Sequence, residues 1–201
     1  MRFVLAGMAC SVALLGCSGR NQPASTDVLP ASAATAPIAT ATARPPEPET
    51  MARYDGYGDI RFGMDETSFD KAWGGELKGA PGRASSCYYK MPKWVKLSTD
   101  FAFMFEHGRF VRYDVGTGKE AAPGGGKVGM SADRIRQLYG PDVQVQPHKY
   151  VEGAKYLRIA APDRGPSEGD GVLVFETDAQ GKVTRWHVGI PPQVDYVEGC
   201  S

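Results

Sequence analysis

Three histidines, four cysteines and a few serines are the side chains of this 201-residue chain best suited to catalysis or metal binding. A histidine can act as a base or a ligand, and a cysteine as nucleophile, ligand or disulfide partner. His107 stands in a Gly-containing turn, His148 before a strand pattern, and His187 within one. None belongs to H-E-x-x-H, and none neighbours a Cys or carboxylate at metal-ligand spacing. Ser85-Ser86-Cys87 lacks the G-x-S-x-G elbow that exposes a hydrolase serine. Gly124-Gly125-Gly126-Lys127 lacks the spacing of a phosphate loop and precedes Val128 rather than Ser or Thr, so it reads as a linker. Asp163, Glu168 and Asp170 form an acidic loop without EF-hand spacing, which reads as solvated. No nucleophile, paired base or metal set assembles. The expectation is a protein that is not an enzyme and uses no cofactor or metal.

The cysteines have other uses. Arg2 followed by the apolar run Phe3 to Leu15 has signal-peptide length and is too short to span a bilayer. The run ends in Leu14-Leu15-Gly16-Cys17, which resembles a bacterial lipobox. That resemblance implies cleavage before Cys17 and lipidation of its thiol and amine, with residues 1–16 as signal. Leu15 departs from the small residue commoner at its position. A plain secretory signal with an incidental Cys, or an uncleaved anchor, is the alternative. Ser18, with no Asp after the Cys, implies sorting to the outer membrane, held by enough acyl chains for stable anchoring. Cys10 leaves with the signal and Cys17 is modified, which leaves Cys87 and Cys200 in an oxidising compartment. One disulfide between them is the simplest account, and a metal or redox site is the competing one.

The elements that would position these residues follow from composition. Residues 17–52 are rich in Ala, Thr, Pro and Ser, carry no apolar period, and read as a disordered tether. Flexible-coil scaling gives such a tether a reach of roughly 30–35 Å. Residues 53–201 have globular composition, with zero formal net charge and no basic footprint for nucleic acid. The domain contains a repeat. Gly63 to Gly74 (GMDETSFDKAWG) matches Gly129 to Gly140 (GMSADRIRQLYG), and each copy is followed by a hairpin pattern. Arg109-Phe110-Val111-Arg112-Tyr113-Asp114-Val115 lies over Lys182-Val183-Thr184-Arg185-Trp186-His187-Val188. This predicts a tandem duplication of a helix-then-meander unit, over about 57–118 and 124–201. Asp65 and Ser131 fall at N-cap positions, and Gly74 and Gly140 at helix stops. Strands are expected over 57–62, 86–90, 101–106 and 110–115, then 148–151, 156–160, 171–176 and 183–188. The fold class is α+β, one antiparallel sheet with short helices on one face.

Alternation assigns the faces. Val111, Tyr113 and Val115, with Trp186 and Val188, fall toward the helices. Phe110, Arg112 and Asp114, with Val183, Arg185 and His187, fall on the other face, which an antiparallel sheet can leave open. The expected partner-binding residues are therefore Arg112, Asp114, Arg185 and His187, together with Trp94 in its Pro92-Lys93-Trp94 loop.

The doubled Gly-Met-helix-meander pattern resembles the beta-lactamase-inhibitor-protein fold, whose unit occurs once in the small lipoprotein of the outer-membrane barrel-assembly machinery. The resemblance covers about Gly58 to Ser201. It implies a non-enzymatic scaffold that binds another protein across the exposed sheet face and its loops. That family carries a disulfide within each unit, from which the Cys87/Cys200 pair departs. The expected function is an envelope lipoprotein, a monomer, that binds a protein partner as inhibitor, immunity-type factor or assembly accessory. A carbohydrate or cell-wall binder using exposed aromatics is the alternative. It would touch the membrane through its lipid alone.

Overall fold

The computed structural model describes residues 50–82, 85–161 and 171–200. The expected signal, Cys17, the expected tether to residue 49 and the acidic loop Asp163 to Asp170 lie outside these residues. Among the described residues the chain is α+β, with two helices, an eight-stranded open antiparallel sheet and a small three-stranded sheet.

The small sheet is β1 (Ala52–Arg53), β2 (Gly56–Tyr57) and β3 (Ile60–Arg61). It replaces the single lead-in strand expected over 57–62, because turns at 54–55 and 58–59 fold the segment on itself. Helix α1 (Glu66–Trp73) follows, then β4 (Leu77–Lys78), β5 (Cys87–Pro92), β6 (Phe101–Glu106) and β7 (Arg109–Val115). The second half has α2 (Ala132–Tyr139), β8 (Gln144–Pro147), β9 (Lys155–Ala160), β10 (Val172–Thr177) and β11 (Val183–Gly189). The large sheet runs β4-β5-β6-β7-β11-β10-β9-β8, so the last strands of the two halves pair at its centre. The strand expected over 148–151 lies instead at 144–147. His148 belongs to the loop that follows, where its ring accepts backbone amides rather than alternating in a strand.

Local chemistry explains the helices. The Asp65 carboxylate accepts the Ser68 amide at 2.9 Å, and the Ser131 hydroxyl accepts the Arg134 amide at 3.2 Å. Each satisfies an orphan amide of a first helical turn. The hydrogen bond to Ser68 also holds the Asp65 carboxyl below its ordinary value. Gly63 and Gly129 stand at φ 84° and 95°, a region that glycine enters without steric cost. The Gly-Met pair ahead of each cap is then tied to a hairpin strand by the same bond pair. Gly63 donates to the Phe110 carbonyl and Phe110 to that of Met64, at 2.8 and 2.9 Å. Gly129 donates to the Val183 carbonyl and Val183 to that of Met130, at 2.9 and 2.8 Å.

These bonds coincide with two bulges. Phe105 pairs with Phe110 while Met104 pairs with Arg112, so Val111 is an extra residue in β7. Thr177 pairs with Val183 while Glu176 pairs with Arg185, so Thr184 is extra in β11. An extra residue reverses the facing of everything before it. Phe110 and Val183 therefore enter the core beside Tyr113, Val115, Trp186 and Val188, contrary to strict alternation. Phe69 of α1 meets Phe103, Phe105 and Phe110 edge-on at 4.8–5.1 Å, and Ile135 of α2 is fully buried in the same cluster.

Candidate functional site

Past the bulge, β7 carries Arg112 and Asp114 on the face away from the helices, and β11 carries Arg185 and His187 there. His187 pairs directly with Asp114, and Gly189 with Arg112. A side chain at position 189 would place its Cβ 2.8 Å from that of Arg112, so glycine makes room for the arginine stem.

This face was expected to be open. It is covered instead by the C-terminal segment, and Arg112, Asp114 and His187 are only 4%, 9% and 5% exposed. The Ile190 amide donates to the Val111 carbonyl, and a 3-10 turn at Gln193–Asp195 then carries the chain back over the strands. Arg112 Nε donates to Asp114 Oδ1 at 2.9 Å, with a second, short contact from Nη2. Its Nη1 donates to the carbonyls of Tyr196 at 2.8 Å and Gln193 at 3.3 Å. The buried arginine is thus a clamp on the tail. Burial alone would lower its pKa, but Asp114 more than offsets this and the value is raised. Glu106 receives the Gln193 amide and the Tyr196 hydroxyl, Arg158 pairs with Asp195, and Glu198 takes Lys149 and the Tyr150 hydroxyl. The segment ends at the Cys87–Cys200 disulfide, with Cα atoms 5.2 Å apart. The pairing predicted from the cysteine inventory is present.

His187 Nε2 lies 2.9 Å from the Val194 carbonyl, which can only accept, so this nitrogen carries the proton. Burial, reinforced by Arg112, holds the imidazole well below its ordinary value. The ring is neutral and Nδ1 is a bare acceptor. Arg185 remains exposed and pairs through Nε with Glu176 Oε2 at 2.8 Å. Glu176 Oε1 receives His148 Nε2 at 2.8 Å, while His148 Nδ1 accepts the amides of Tyr150 and Val151 at 3.1 Å each. His148 therefore fastens a loop.

Between the tail and strands β8–β10 lies a cleft of about 460 Å³, onto which Tyr156, Arg158, Glu176, His187 and Val194 open. Among the described residues its lining has no serine, threonine or cysteine. Among the described residues no three His, Cys, Asp or Glu side chains gather to hold a metal. The arrangement can bind, and its charged groups already have partners. Sequence reasoning missed Arg158, Glu176 and Val194 as members of this site. The facing of Glu176 could be read from β10, but the return of Val194 over the sheet had no local signal.

Trp94 stands apart from this cluster, 74% exposed, with Leu97 at 60% and Met51 at 52%. The Lys93 amide donates to the Glu76 carbonyl and the Val95 amide to that of Pro92. These bonds, with buried Val95, fix the loop and leave the indole outside. Trp94, Trp73, Tyr57 and Phe101 border a second cleft of about 380 Å³, with Lys96 and Glu120 also on its wall. Burial, then Glu120, pushes the Tyr57 hydroxyl up. The predicted residues thus form a buried cluster (Arg112, Asp114, His187), an exposed flank (Arg185) and a separate exposed aromatic (Trp94).

No helix among the described residues is long and apolar enough to cross a membrane, which leaves β-barrel spanning untouched. No family model, no curated protein and no solved structure matches the chain.

Proposed function

We propose that this chain is a non-enzymatic envelope lipoprotein that binds a protein partner through the Trp94 end of its domain. The observation that carries the reading is Trp94 itself, 74% exposed on a loop fixed by backbone hydrogen bonds and flanked by Leu97 and Met51. Tryptophan is enriched at interface hot spots, and grouped exposed apolar side chains mark contact surfaces. The loop is held before a partner arrives, so little ordering entropy is lost on binding. The buried cluster of Arg112, Asp114 and His187 serves the tail in this reading, and the partner meets the loops rather than an open face.

Anchoring at Cys17 of the outer membrane rests on Leu14-Leu15-Gly16-Cys17 and Ser18. The two halves are read as a tandem duplication, supported by the matching caps, bulges and Gly-Met hydrogen bonds.

The test is capture from envelope extract with the full-length protein against Trp94→Ala. One stoichiometric protein, identified by mass spectrometry and lost from the variant, supports the reading. Equal capture by both overturns the Trp94 surface. Fatty-acid labelling that persists in Cys17→Ala overturns the anchor.

A further inference from the structure

The Trp94 cleft opens where the chain enters the domain. The Thr50 hydroxyl donates to the Ala121 carbonyl at 2.9 Å, which ties residue 50 beside Lys119 and Glu120 of the cleft wall. The next residue, Met51, is part of that wall. Immediately before Thr50 the sequence reads Arg44-Pro45-Pro46-Glu47-Pro48-Glu49. Prolines so placed favour polyproline II, whose three residues per turn put Pro45 and Pro48 on one ridge. A rise of about 3.1 Å per residue sets Pro48 within about 6 Å of Thr50 and Pro45 within about 16 Å. The proline ridge therefore ends at the mouth of the cleft.

The cleft has the chemistry that such a ridge meets. Pro-rich segments dock in aromatic-lined grooves, and a preformed polyproline II helix has little entropy left to lose. Trp94 offers an exposed indole and Trp73 a half-buried one, with Tyr57 and Phe101 buried beneath them. Lys96 and Lys119 are exposed on the wall and form no ion pair among the described residues. Asp100 stands on the same wall, while Glu120 is engaged by the Tyr57 hydroxyl. The segment brings Glu47 and Glu49 for the two lysines and Arg44 for Asp100, so the signs are complementary. Covalent attachment makes docking intramolecular, at an effective concentration on the order of millimolar. A groove that held the free peptide with a millimolar dissociation constant would be about half filled by the attached one.

We infer that the Trp94 cleft binds segment 44–49 of its own chain, with the Pro45/Pro48 ridge against the Trp94 and Trp73 rings and Glu47 and Glu49 toward Lys96 and Lys119. Docking stands without the protein-binding reading. Its consequence rests on that reading: a partner reaches Trp94 by displacing the segment, so the tether regulates the surface it carries.

The experiment is hydroxyl-radical footprinting of purified full-length protein, read residue by residue by mass spectrometry. The comparison chain carries Pro45→Ser, Pro46→Ser and Pro48→Ser, which free φ at all three positions and lie ahead of the folded domain. Trp94 is expected to oxidise about twofold faster or more in that variant, because a half-filled groove halves the time its indole spends open. Fully buried Trp186 should be unchanged, which shows that the fold is intact. A synthetic peptide of residues 43–50, added at millimolar concentration, should restore protection of Trp94 in the variant. Equal oxidation of Trp94 in the two chains, or no protection by the peptide, overturns the inference. Protection that disappears on dilution also overturns it, since the occupant is then the segment of a second copy. No partner is present in the purified sample, so this result and capture from envelope extract can fail separately.

Discussion

The two halves of the large sheet share a hydrogen-bonding frame and differ in what fills it. Against β5–β7, α1 presents Phe69 to an aromatic set of Phe103, Phe105 and Phe110. In the second half, buried Ile135 belongs to a core that includes Leu157, Leu173 and Val183, with Phe175 and Trp186 as its buried aromatics. Around both, the chain repeats a Gly-Met entry with positive φ, a side-chain cap, an extra strand residue, and a bond pair between entry and bulge. Backbone bonding, which tolerates few alternatives, recurs in detail. Core packing needs only comparable volume and apolarity, so its residues differ. The frame sets the fold and the filling sets how strongly each half is held.

The largest test of that contrast exchanges filling for space. Phe69→Ala should cost about 4 kcal/mol and Ile135→Ala about 3 kcal/mol, because the ring removes more contacts and leaves the larger cavity. Urea unfolding followed by circular dichroism measures both. Equal losses would mean that the aromatic cluster adds nothing beyond its volume.

A second test concerns a tie that only the first half has. Cys87, at the start of β5, is bound to the end of the tail across a sequence separation of 113 residues. Cys200→Ser should lower stability by about 3 kcal/mol through the unfolded chain's regained freedom. It should also raise proteolysis within the tail before it does so in β9–β11. Uniform loss of protection would show that the tail and sheet unfold as one unit.

How much of this was legible in the sequence depended on how locally each feature is encoded. Asp65 and Ser131 announce helix starts because a cap acts on an amide three residues away. The Cys87–Cys200 bridge followed from the expectation that Cys10 and Cys17 are taken up by a signal and a lipid, which leaves these two only each other. Arg112 and Asp114 were assigned to the correct side of the sheet, since the bulge precedes them. Phe110 and Val183 were not, because one inserted residue reverses parity and neither Val111 nor Thr184 differs in type from an ordinary strand residue. The closed face was the larger failure. Arg112 is covered by carbonyls of Gln193 and Tyr196, more than eighty positions away, and a carbonyl is the same in every residue. Trp94 was legible as exposed, because a loop bounded by Pro92 offers an indole little to pack against.

The matching positions Asp114 and His187 allow a comparison by pH. One carries a carboxylate bound to Arg112, while the other is a neutral ring whose folded pKa is depressed by burial. An unfolded histidine titrates near 6.5. Above that value the ring is neutral in both states and its contribution is fully present. As pH falls below about 6.5 the unfolded chain takes a proton that the folded chain refuses, so stability falls until the depressed folded value is reached. The expected loss is up to about 1.4 kcal/mol per pH unit. His187→Gln, which keeps a donor for the Val194 carbonyl, should remove that slope between pH 6.5 and 5. Persistence of the slope would transfer it to another group.

The smallest effect separates the frame from its filling most cleanly. Ser131 is exposed and accepts the Arg134 amide, so Ser131→Ala removes a cap and almost no packing. The expected cost is about 1 kcal/mol, and Ser131→Asp, which copies the cap of α1, should restore it. Hydrogen exchange at the Arg134 amide reads the change where it occurs. If Asp restores protection at that amide while Ile135 stays buried, the two caps are interchangeable parts of one frame. If Asp fails, the halves have diverged in their backbone as well as in their cores, because Asp already performs this role at position 65.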